Sequence, residues 1–473
     1  MFFLFGEFMD FRLTKNMQIL IIFIIAGSVL TVAQSIITTG TVQIMGEFGV
    51  SSTVAQWTYS AFLLVVGIMM PLCAYLSRRY SVRKIFLFSV GIFIIGSLVC
   101  YFSTSIEILI IGRILEAIGN GILIPFNQIL ILKMVPEEDW QINMGIFGLV
   151  IGFAPVCGLV VGGFIIDLYT WRALFSIFAI LAIIIMAIGL YVIDVDLGTE
   201  DYPLDLLSVG LSIVGCAGIM LGFTNIAEYG FISLFVFIPI IVGIIALILF
   251  VKRQGNLEKP LINLEVLKNK YFSAGIIFIC IFYFGLNGYT ALVPLFVQGV
   301  AYYSATISAL IIFPGAILMI LANIIGPILV GKIGIKKLLA LATVISIIGY
   351  GTMMFYTAET TVLWMVITQA IRCLGLGLIL MPVTTWSLTM VSDKVEDGTA
   401  VNNTLRQIAA AIGSSMVVVI VAILAGGNIA HNQMSVTAFN ETALIMVILN
   451  IIMLLIVIFI IDDKEKIESK NNC

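Results

Sequence analysis

The chain has 473 residues, of which 61% are hydrophobic and 10% are charged, and its formal net charge is −3. This composition excludes both a soluble globular domain and a disordered chain. Apolar runs long enough to cross a bilayer core of roughly 30 Å recur from one end of the chain to the other. Each run is expected to be an α-helix, because lipid cannot satisfy unpaired backbone N–H and C=O groups.

We predict fourteen membrane spans, numbered in chain order: 17–39, 54–76, 85–104, 107–132, 141–167, 171–193, 206–226, 231–251, 271–293, 304–329, 336–356, 361–391, 399–424 and 441–461. Of the 23 Lys and Arg residues, all but four fall in segments that a cytoplasmic N-terminus places inside the cell. The exceptions, in spans or at a span end, are Arg113, Arg172, Arg372 and Arg406. By the positive-inside rule, this predicts a multi-pass protein of the cell membrane with cytoplasmic tails at 1–16 and 462–473.

Span 5 contains the unusual stretch GFAPVCGLVVGG, residues 152–163. Its small residues and its proline recur mostly in steps of three and four, which places them on one face of a helix: Gly152, Pro155, Gly158, Gly162 and Gly163. Glycine faces let two membrane helices approach closely, and an internal proline bends a helix. One interpretation is a packing face alone. The other is a seam between the two halves of the protein that seals one side of a central cavity.

Two motifs occur twice, each time eight spans apart. LSRRYSVRKIFL (76–87) follows span 2, and the similar LVGKIGIKKLLA (329–340) follows span 10. RILEAIGNGILIP (113–125) lies in span 4, and RCLGLGLILMP (372–382) lies in span 12. An offset of eight predicts two six-helix bundles separated by two inserted helices.

The predicted domains are therefore an N-terminal bundle (17–193), a two-helix insertion with its cytoplasmic linkers (194–270) and a C-terminal bundle (271–461). Internal repeats are typical of secondary transporters, whose substrate site lies near the bilayer midplane at the repeat interface.

Several motifs resemble those of the major facilitator superfamily, and within it the fourteen-helix drug:proton antiporters of the multidrug exporter type. They are APVCGLVVGG (154–163) with WRALF (171–175), QWTYSAFLLVVGIMMPL (56–72), GRILEAIGNGILIP (112–125), PLINLEVLKNKYFSAG (260–275), RCLGLGLILMP (372–382) and VNNTLRQIAAAIGSS (401–415). The resemblance implies an all-α integral membrane protein with the major facilitator fold, 6+2+6 helices and export by alternating access. It also identifies the glycine stretch of span 5 as the antiporter motif.

The sequence departs from that family at two places. Gln34 occupies the position in span 1 where the family usually has an Asp, and Gln cannot exchange a proton near neutral pH. In the turn after span 2, Arg78 replaces an Asp and Ser81 replaces a Gly. This basic turn is the candidate cytoplasmic gate, with residues Arg78, Arg79, Arg83 and Lys84.

Proton coupling requires a titratable group within the membrane, and Glu116 is the one acid well inside a predicted span. The only histidine, His431, falls in the last outer loop. Arg113 precedes Glu116 by three residues and shares its helix face. The two residues form either a static ion pair or a switchable pair that couples transport to protons.

Polar and aromatic side chains inside the spans are candidates for the lining of a substrate cavity, which needs apolar surface and a few polar groups. They are Gln34, Trp57, Asn127, Gln128, Asn287, Tyr289, Arg372, Trp386, Asn402, Arg406 and Gln407. For Arg372 and Arg406 two interpretations are open: binding to helix-end carbonyls, or attraction of an anionic substrate or headgroup.

No pattern in the sequence indicates an enzyme, a cofactor, a metal site or a nucleic-acid partner. The expected partners are a small amphipathic substrate such as a drug or dye, protons and the lipid bilayer, and the expected state is a monomer. The alternative is a lipid or metabolite translocator, or a facilitator, of the same fold without proton coupling.

Overall fold

The computed structural model describes residues 15–50, 52–195, 198, 201, 203–230, 232–303, 305–424 and 435–462. Within these ranges every regular element is a helix. His431 and nearly all of the two predicted tails lie outside the described residues.

The described residues of the first half form eight α-helices. They are α1 (Lys15–Ile36), α2 (Thr41–Phe48), α3 (Ser52–Met69), α4 (Leu72–Arg79), α5 (Val82–Tyr101), α6 (Ile106–Met134), α7 (Trp140–Leu168) and α8 (Trp171–Val192). The start of α6 is set by Ser105, whose side chain accepts a hydrogen bond from the backbone N–H of Ile108. Pro71 precedes α4 directly, at the point where α3 and α4 meet at an angle of 54°.

Eight α-helices are likewise formed by the described residues of the second half. They are α9 (Leu206–Tyr229), α10 (Leu234–Gln254), α11 (Lys270–Gly299), α12 (Ala305–Ile333), α13 (Ile335–Met353), α14 (Val362–Thr389), α15 (Val395–Leu424) and α16 (Val436–Phe459). Asn269 caps α11 by accepting hydrogen bonds from the N–H groups of Tyr271 and Phe272. The turn between α12 and α13 is a single residue, Gly334, with φ of 81°, a conformation that glycine adopts without strain.

Every predicted span coincides with a helix or, for span 2, with the bent pair α3 and α4. Within the described residues, eleven helices are long and apolar enough to cross a membrane, or twelve if the bent pair is one span. Helices α7 and α15, which coincide with spans 5 and 13, are not among them. The all-helical membrane fold is thus confirmed, whereas the count of fourteen stays a prediction.

The chain divides into two compact units. Unit 1 comprises Met1–Pro136 and Val150–Pro203, and unit 2 comprises Glu137–Leu149 and Leu204–Cys473. In unit 1, α6 packs against α3 and α5, and α5 also packs against α8. In unit 2, α14 packs against α12 and α13, α11 against α15, and α9 against both α10 and α15. The bundle boundaries derived from the repeat stay a prediction.

A glycine of the preceding helix lies against the arginine-bearing helix in each unit. A Cβ atom on Gly96 of α5 would lie 2.6 Å from the backbone N of Glu116 in α6. A Cβ atom on Gly349 of α13 would lie 2.6 Å from the Cα of Arg372 in α14. These contacts are possible only because glycine has no side chain, and they bring α5 onto α6 and α13 onto α14 at matching places of the repeat.

Candidate functional site

Arg113 and Glu116 form a fully buried ion pair in α6. Nη1 of Arg113 lies 2.6 Å from Oε2 of Glu116, and both side chains have an exposed fraction of 0%. The hydroxyl of Ser97 in α5 donates to Oε1 of the same carboxylate at 2.6 Å. Each carboxylate oxygen therefore has a donor, as the burial of a charge requires. Ser97 was missed from the sequence, although a hydroxyl directly after Gly96, a glycine in the helix that precedes α6, was the available signal.

The remaining donors of Arg113 join α6 to two other helices. Nη1 and Nη2 donate to the backbone carbonyls of Ala33 at 3.0 Å and Gln34 at 3.2 Å, and Nε donates to the carbonyl of Thr58 at 3.2 Å. Ala33 and Gln34 belong to the last turn of α1, where carbonyls lack intrahelical partners. The guanidinium also lies over the ring of Phe62, 4.4 Å from its centroid. Arg113 thus ties α1, α3 and α6 together at one point.

Gln34 lies next to this pair, half-buried at the end of α1. Its backbone carbonyl accepts from Arg113, and its side chain is hydrogen-bonded to Tyr59 in α3. An amide at this position adds no charge to the site. Glu116 is therefore the single acid that the described residues place against Arg113.

Arg372 is the counterpart of Arg113 in unit 2, and it is 2% exposed. Its acceptors are Oε1 of Gln369 at 2.7 Å, the hydroxyl of Tyr350 at 3.3 Å and the sulfur of Cys373 at 3.6 Å. No carboxylate among the described residues forms an ion pair with it. A charged group at the centre of a membrane helix costs about 2.5–3.5 kcal/mol on insertion scales, so a buried Arg without an acid is an expensive feature.

Aromatic rings surround this second arginine. Its guanidinium carbon lies 5.4 Å from the ring centroid of Tyr289 and 5.5 Å from that of Tyr350, and the two rings meet edge to face. Both rings are buried, and the hydroxyl of Tyr289 has no hydrogen-bond partner among the described atoms. The cation is therefore held by ring faces and neutral acceptors.

The other cavity candidates fall into two groups. Unit 1 contains Trp57, which is half-buried, and Asn127 and Gln128, which are buried; no partner of the Asn127 amide is described. In unit 2, Asn402 is buried with both amide atoms unpartnered among the described residues, while Gln407 is half-buried.

Three further candidates in unit 2 have identified contacts. Asn287 donates to the carbonyl of Tyr283 at 3.0 Å, and the guanidinium carbon of Arg406 lies 5.1 Å from the centroid of the same tyrosine ring. Trp386 donates from Nε1 to the carbonyl of Asp462 at 3.0 Å, beyond the end of α16. The structure thus brings Arg372 together with Tyr289 and Arg406 with Tyr283, whereas Trp386 is bound to the chain's C-terminal end.

For the glycine face of α7 the structure gives a partial description. Residues 137–149 belong to unit 2, where a Cβ atom on Gly145 would lie 2.7 Å from Cγ of Pro327 and one on Gly148 would meet the side chain of Met381. Gly158 and Gly162 are buried, whereas a Cβ atom on Gly152 would have nothing within 4 Å. Pro155 and Gly163 are part of the helical backbone, and their surroundings lie outside the described contacts. The sealing role of this face stays a prediction.

The basic turn between α4 and α5 binds an acidic segment that follows α8. Arg79 forms an ion pair with Asp201, and Nη2 of Arg83 donates to the carbonyl of Leu190 at 2.9 Å. Lys15 pairs with Asp194 at 2.9 Å and holds the pKa of that carboxyl below its usual value. The acids were missed as partners, although an acidic loop and a basic turn placed on the same membrane side were the available signal.

Arg78 and Lys84 complete the candidate gate. Arg78 is half-buried, and Lys84 lines a cavity of about 380 Å³ together with Leu76, Tyr80, Ile85, Phe88 and Ile122. Ser81, which stands where the family has glycine, has φ of −63° and precedes α5 in an extended conformation. Because this φ is open to any residue, serine is accommodated without strain.

The segment before α11 is attached to the first turn of α15 and to the short turn that precedes it. The N–H of Asn263 donates to Oδ1 of Asp397 at 2.7 Å, and Lys394 forms an ion pair with Glu265 at 3.0 Å. Lys394, together with Lys268, lowers the pKa of Glu265 to about 2. These contacts join the two-helix insertion to the helices that follow it, and the PLINLEVLKNK motif did not reveal them.

The comparisons with known proteins agree with this architecture. The model of the Major Facilitator Superfamily matches residues 20–414. An uncharacterized MFS-type transporter of Bacillus subtilis, YhcA, is 32% identical over 86% of this chain and 77% of its own length. The lincomycin resistance protein LmrB of the same organism is 31% identical over 89% of this chain and 88% of its own length.

Two further likenesses extend the comparison. The multidrug export protein EmrB of Escherichia coli is 27% identical over 85% of this chain and 80% of its own length. Among solved structures, the human organic anion transporter MFSD10 superimposes with a TM-score of 0.61 over 92% of this chain and 99% of the other, at 13% identity. At that identity the structural likeness concerns the fold alone.

Proposed function

The chain belongs to the Major Facilitator Superfamily, and from this premise we propose that it exports amphipathic small molecules such as drugs or dyes by alternating access, in exchange for protons. Its family and its relatives are multi-pass membrane transporters, not enzymes, and they include multidrug and lincomycin resistance proteins. The observation that carries the proton-coupled form of the proposal is the fully buried pair of Arg113 and Glu116.

Proton exchange follows from the chemistry of that pair. If Arg113 moves away while Glu116 is ionised, a buried charge loses its partner, which costs about 3–5 kcal/mol. A proton taken up by Glu116 removes this cost, because a neutral carboxyl needs hydrogen bonds only. Arg113 already has carbonyl acceptors on α1 and α3, so it keeps partners after such a movement. The guanidinium and the proton would thus alternate as partners of one carboxylate.

The second candidate function is a translocator or facilitator without proton coupling. Gln34 favours it, because the residue beside the pair contributes an amide where the family has an acid. In that case Arg113 and Glu116 are a static pair that fixes α1 and α3 on α6.

We also propose the full topology of fourteen spans with both termini in the cytoplasm, in which α9 and α10 form the inserted pair. Two observations support this topology: α7 and α15 are helices of 29 and 30 residues at spans 5 and 13, and the cationic residues cluster at one side of the predicted membrane. The cysteine-labelling test uses Tyr229 and Asp201, which this topology places on opposite sides. Labelling of both from the same side would overturn it.

The decisive test of proton exchange is dye transport in proteoliposomes with and without an imposed proton gradient. The probe is the ethyl ester of rhodamine B, an amphipathic cation. Glu116→Gln should retain gradient-independent dye flux and lose the uphill component. Glu107→Gln, the same substitution at the exposed start of α6, is the control and should behave as wild type. Uphill transport by Glu116→Gln at the wild-type rate would assign Glu116 to a static pair.

A further inference from the structure

The described part of the chain places no acid where it could neutralise the second buried arginine. Arg372 donates to a side-chain amide, a tyrosine hydroxyl and a distant sulfur, all of them uncharged. A guanidinium has five N–H donors, and the described residues offer it these three acceptors. The acceptor of Nη2, the Cys373 sulfur at 3.6 Å, is the weakest of the three.

The usual structural role of a buried arginine does not fit the described contacts. Arg113 binds three backbone carbonyls, two of them at the end of a helix, and so joins helices together. Arg372 has no described backbone acceptor, and two of its acceptors, Gln369 and Cys373, are near neighbours in its own helix. Its one described hydrogen bond to another helix goes to the hydroxyl of Tyr350 in α13, and no described group neutralises its charge.

A second polar group beside Arg372 also lacks a partner. Tyr289 is fully buried, its ring lies under the guanidinium, and no described atom is within hydrogen-bonding distance of its hydroxyl. Buried hydroxyl groups are normally hydrogen-bonded, so an unpartnered one next to an unneutralised cation indicates a missing acceptor. A single anionic group would serve both residues.

We propose that Arg372, with Tyr289 and Tyr350, binds the anionic group of an amphipathic molecule, a carboxylate, sulfonate or phosphate. The inference rests on the proposed export of amphipathic molecules, and it specifies which chemical group of the exported molecule is bound by unit 2. A guanidinium matches the two oxygens of such a group, and the tyrosine hydroxyls add neutral donors. Tyr289, Tyr350 and Tyr356 belong to one buried apolar cluster, so an anion at Arg372 would be shielded from water, which strengthens its contact with the guanidinium.

The test compares two dyes that differ in one group. Rhodamine B has a free carboxylate, and its ethyl ester does not. Binding of each dye to the purified full-length protein in phosphatidylcholine nanodiscs is measured by fluorescence anisotropy. We expect Arg372→Gln to weaken the binding of rhodamine B by about tenfold or more, since hydrogen bonds to charged groups are the stronger ones. Affinity for the ester should change by less than about twofold.

Three variants keep the test decisive. Arg372→Lys retains the charge and should restore much of the preference for the acid over the ester. Tyr289→Phe removes only the unpartnered hydroxyl and should weaken binding of the acid several-fold while the ester is unaffected. Lys337→Gln, which removes one exposed positive charge of the same unit, should leave both affinities unchanged.

A preference for acid over ester that survives both Arg372→Gln and Tyr289→Phe would overturn the anion site, as would a wild-type protein that binds the ester alone. Failure of the proposed export is seen separately, as loss of gradient-driven ester flux in a protein that still binds rhodamine B through Arg372. Phosphatidylglycerol nanodiscs identify the source of the anion. If a lipid headgroup occupies the site, rhodamine B should bind the wild type more weakly in phosphatidylglycerol nanodiscs than in phosphatidylcholine nanodiscs. The affinity of Arg372→Gln for rhodamine B should be the same in both lipids.

Discussion

Two buried arginines occupy matching places in the two units, and among the described residues only Arg113 has an acid beside it. Arg113 is followed three residues later by Glu116, whereas the third residue after Arg372 is Gly375. A Cβ atom at Gly375 would lie 2.7 Å from the carbonyl oxygen of Ala342 in α13, so no acid fits there. The close packing of α13 on α14 therefore leaves no room in unit 2 for an acid at the position that corresponds to Glu116. Arg113 thus has a counterion in its own helix, whereas the described residues provide none for Arg372.

The largest expected effect comes from breaking the pair in unit 1. Arg113→Met leaves the charge of Glu116 buried without its partner and should destabilise the protein by about 3–5 kcal/mol. Thermal unfolding in detergent measures the loss. Arg113→Met combined with Glu116→Leu removes both charges and should recover most of the stability. If the double variant is no more stable than Arg113→Met, burial of the carboxylate charge is not the cause.

The same substitution in unit 2 should cost less. Arg372→Met leaves no charge behind, and it deprives only the neutral acceptors Gln369 and Tyr350 of a donor, at about 1–3 kcal/mol. Removal of the buried charge offsets part of that cost. The two Arg→Met variants are compared in one thermal unfolding series. If Arg372→Met loses as much stability as Arg113→Met, the contrast between the two units is wrong.

Substitution of the glycines at the close helix contacts should destabilise the two units by similar amounts. Gly96→Ala and Gly349→Ala each place a methyl group against backbone atoms and should cost about 1–3 kcal/mol. Gly91→Ala in α5 and Gly351→Ala in α13 are the matched controls, since a Cβ atom there has nothing within 4 Å. The controls should be neutral or slightly stabilising, because alanine favours a helix over glycine. Equal unfolding temperatures for test and control variants would argue against the tight contacts.

The smallest expected effect concerns the exposed contact of Glu265 with Lys394. The pKa of Glu265 is lowered to about 2 in the folded protein, below its usual value of about 4.3. The contact therefore stabilises the fold at pH values above about 4.3, and this stabilisation is lost as the pH falls toward 2. The difference in unfolding temperature between wild type and Glu265→Gln should be small at pH 7 and should shrink below pH 4. Glu258→Gln is the control, and a difference that is independent of pH would contradict the assignment.

Residues predicted from the sequence and residues found only in the structure differ in the range of their interactions. The apolar runs and the pairing of Arg113 with Glu116 depend on neighbours within one helix, where spacing determines the shared face. Ser97, Asp201 and the contact of Asn263 with Asp397 join parts of the chain that spacing cannot relate. That the described residues place no acid beside Arg372 also depends on long-range packing, so the pattern RCLGLGLILMP did not reveal it.

The sequence by itself determined that the protein is a helical membrane protein of the Major Facilitator Superfamily, because lipid requires long apolar helices and the motifs are local. It also placed Arg113 and Arg372 inside predicted spans. The tertiary structure decided which groups pair with each buried charge, because pairing depends on which helices bring polar atoms within about 3 Å of the charged atoms. Gly96 brings Ser97 to Glu116 in one unit, and Gly349 brings α13 to Arg372 in the other without an acid.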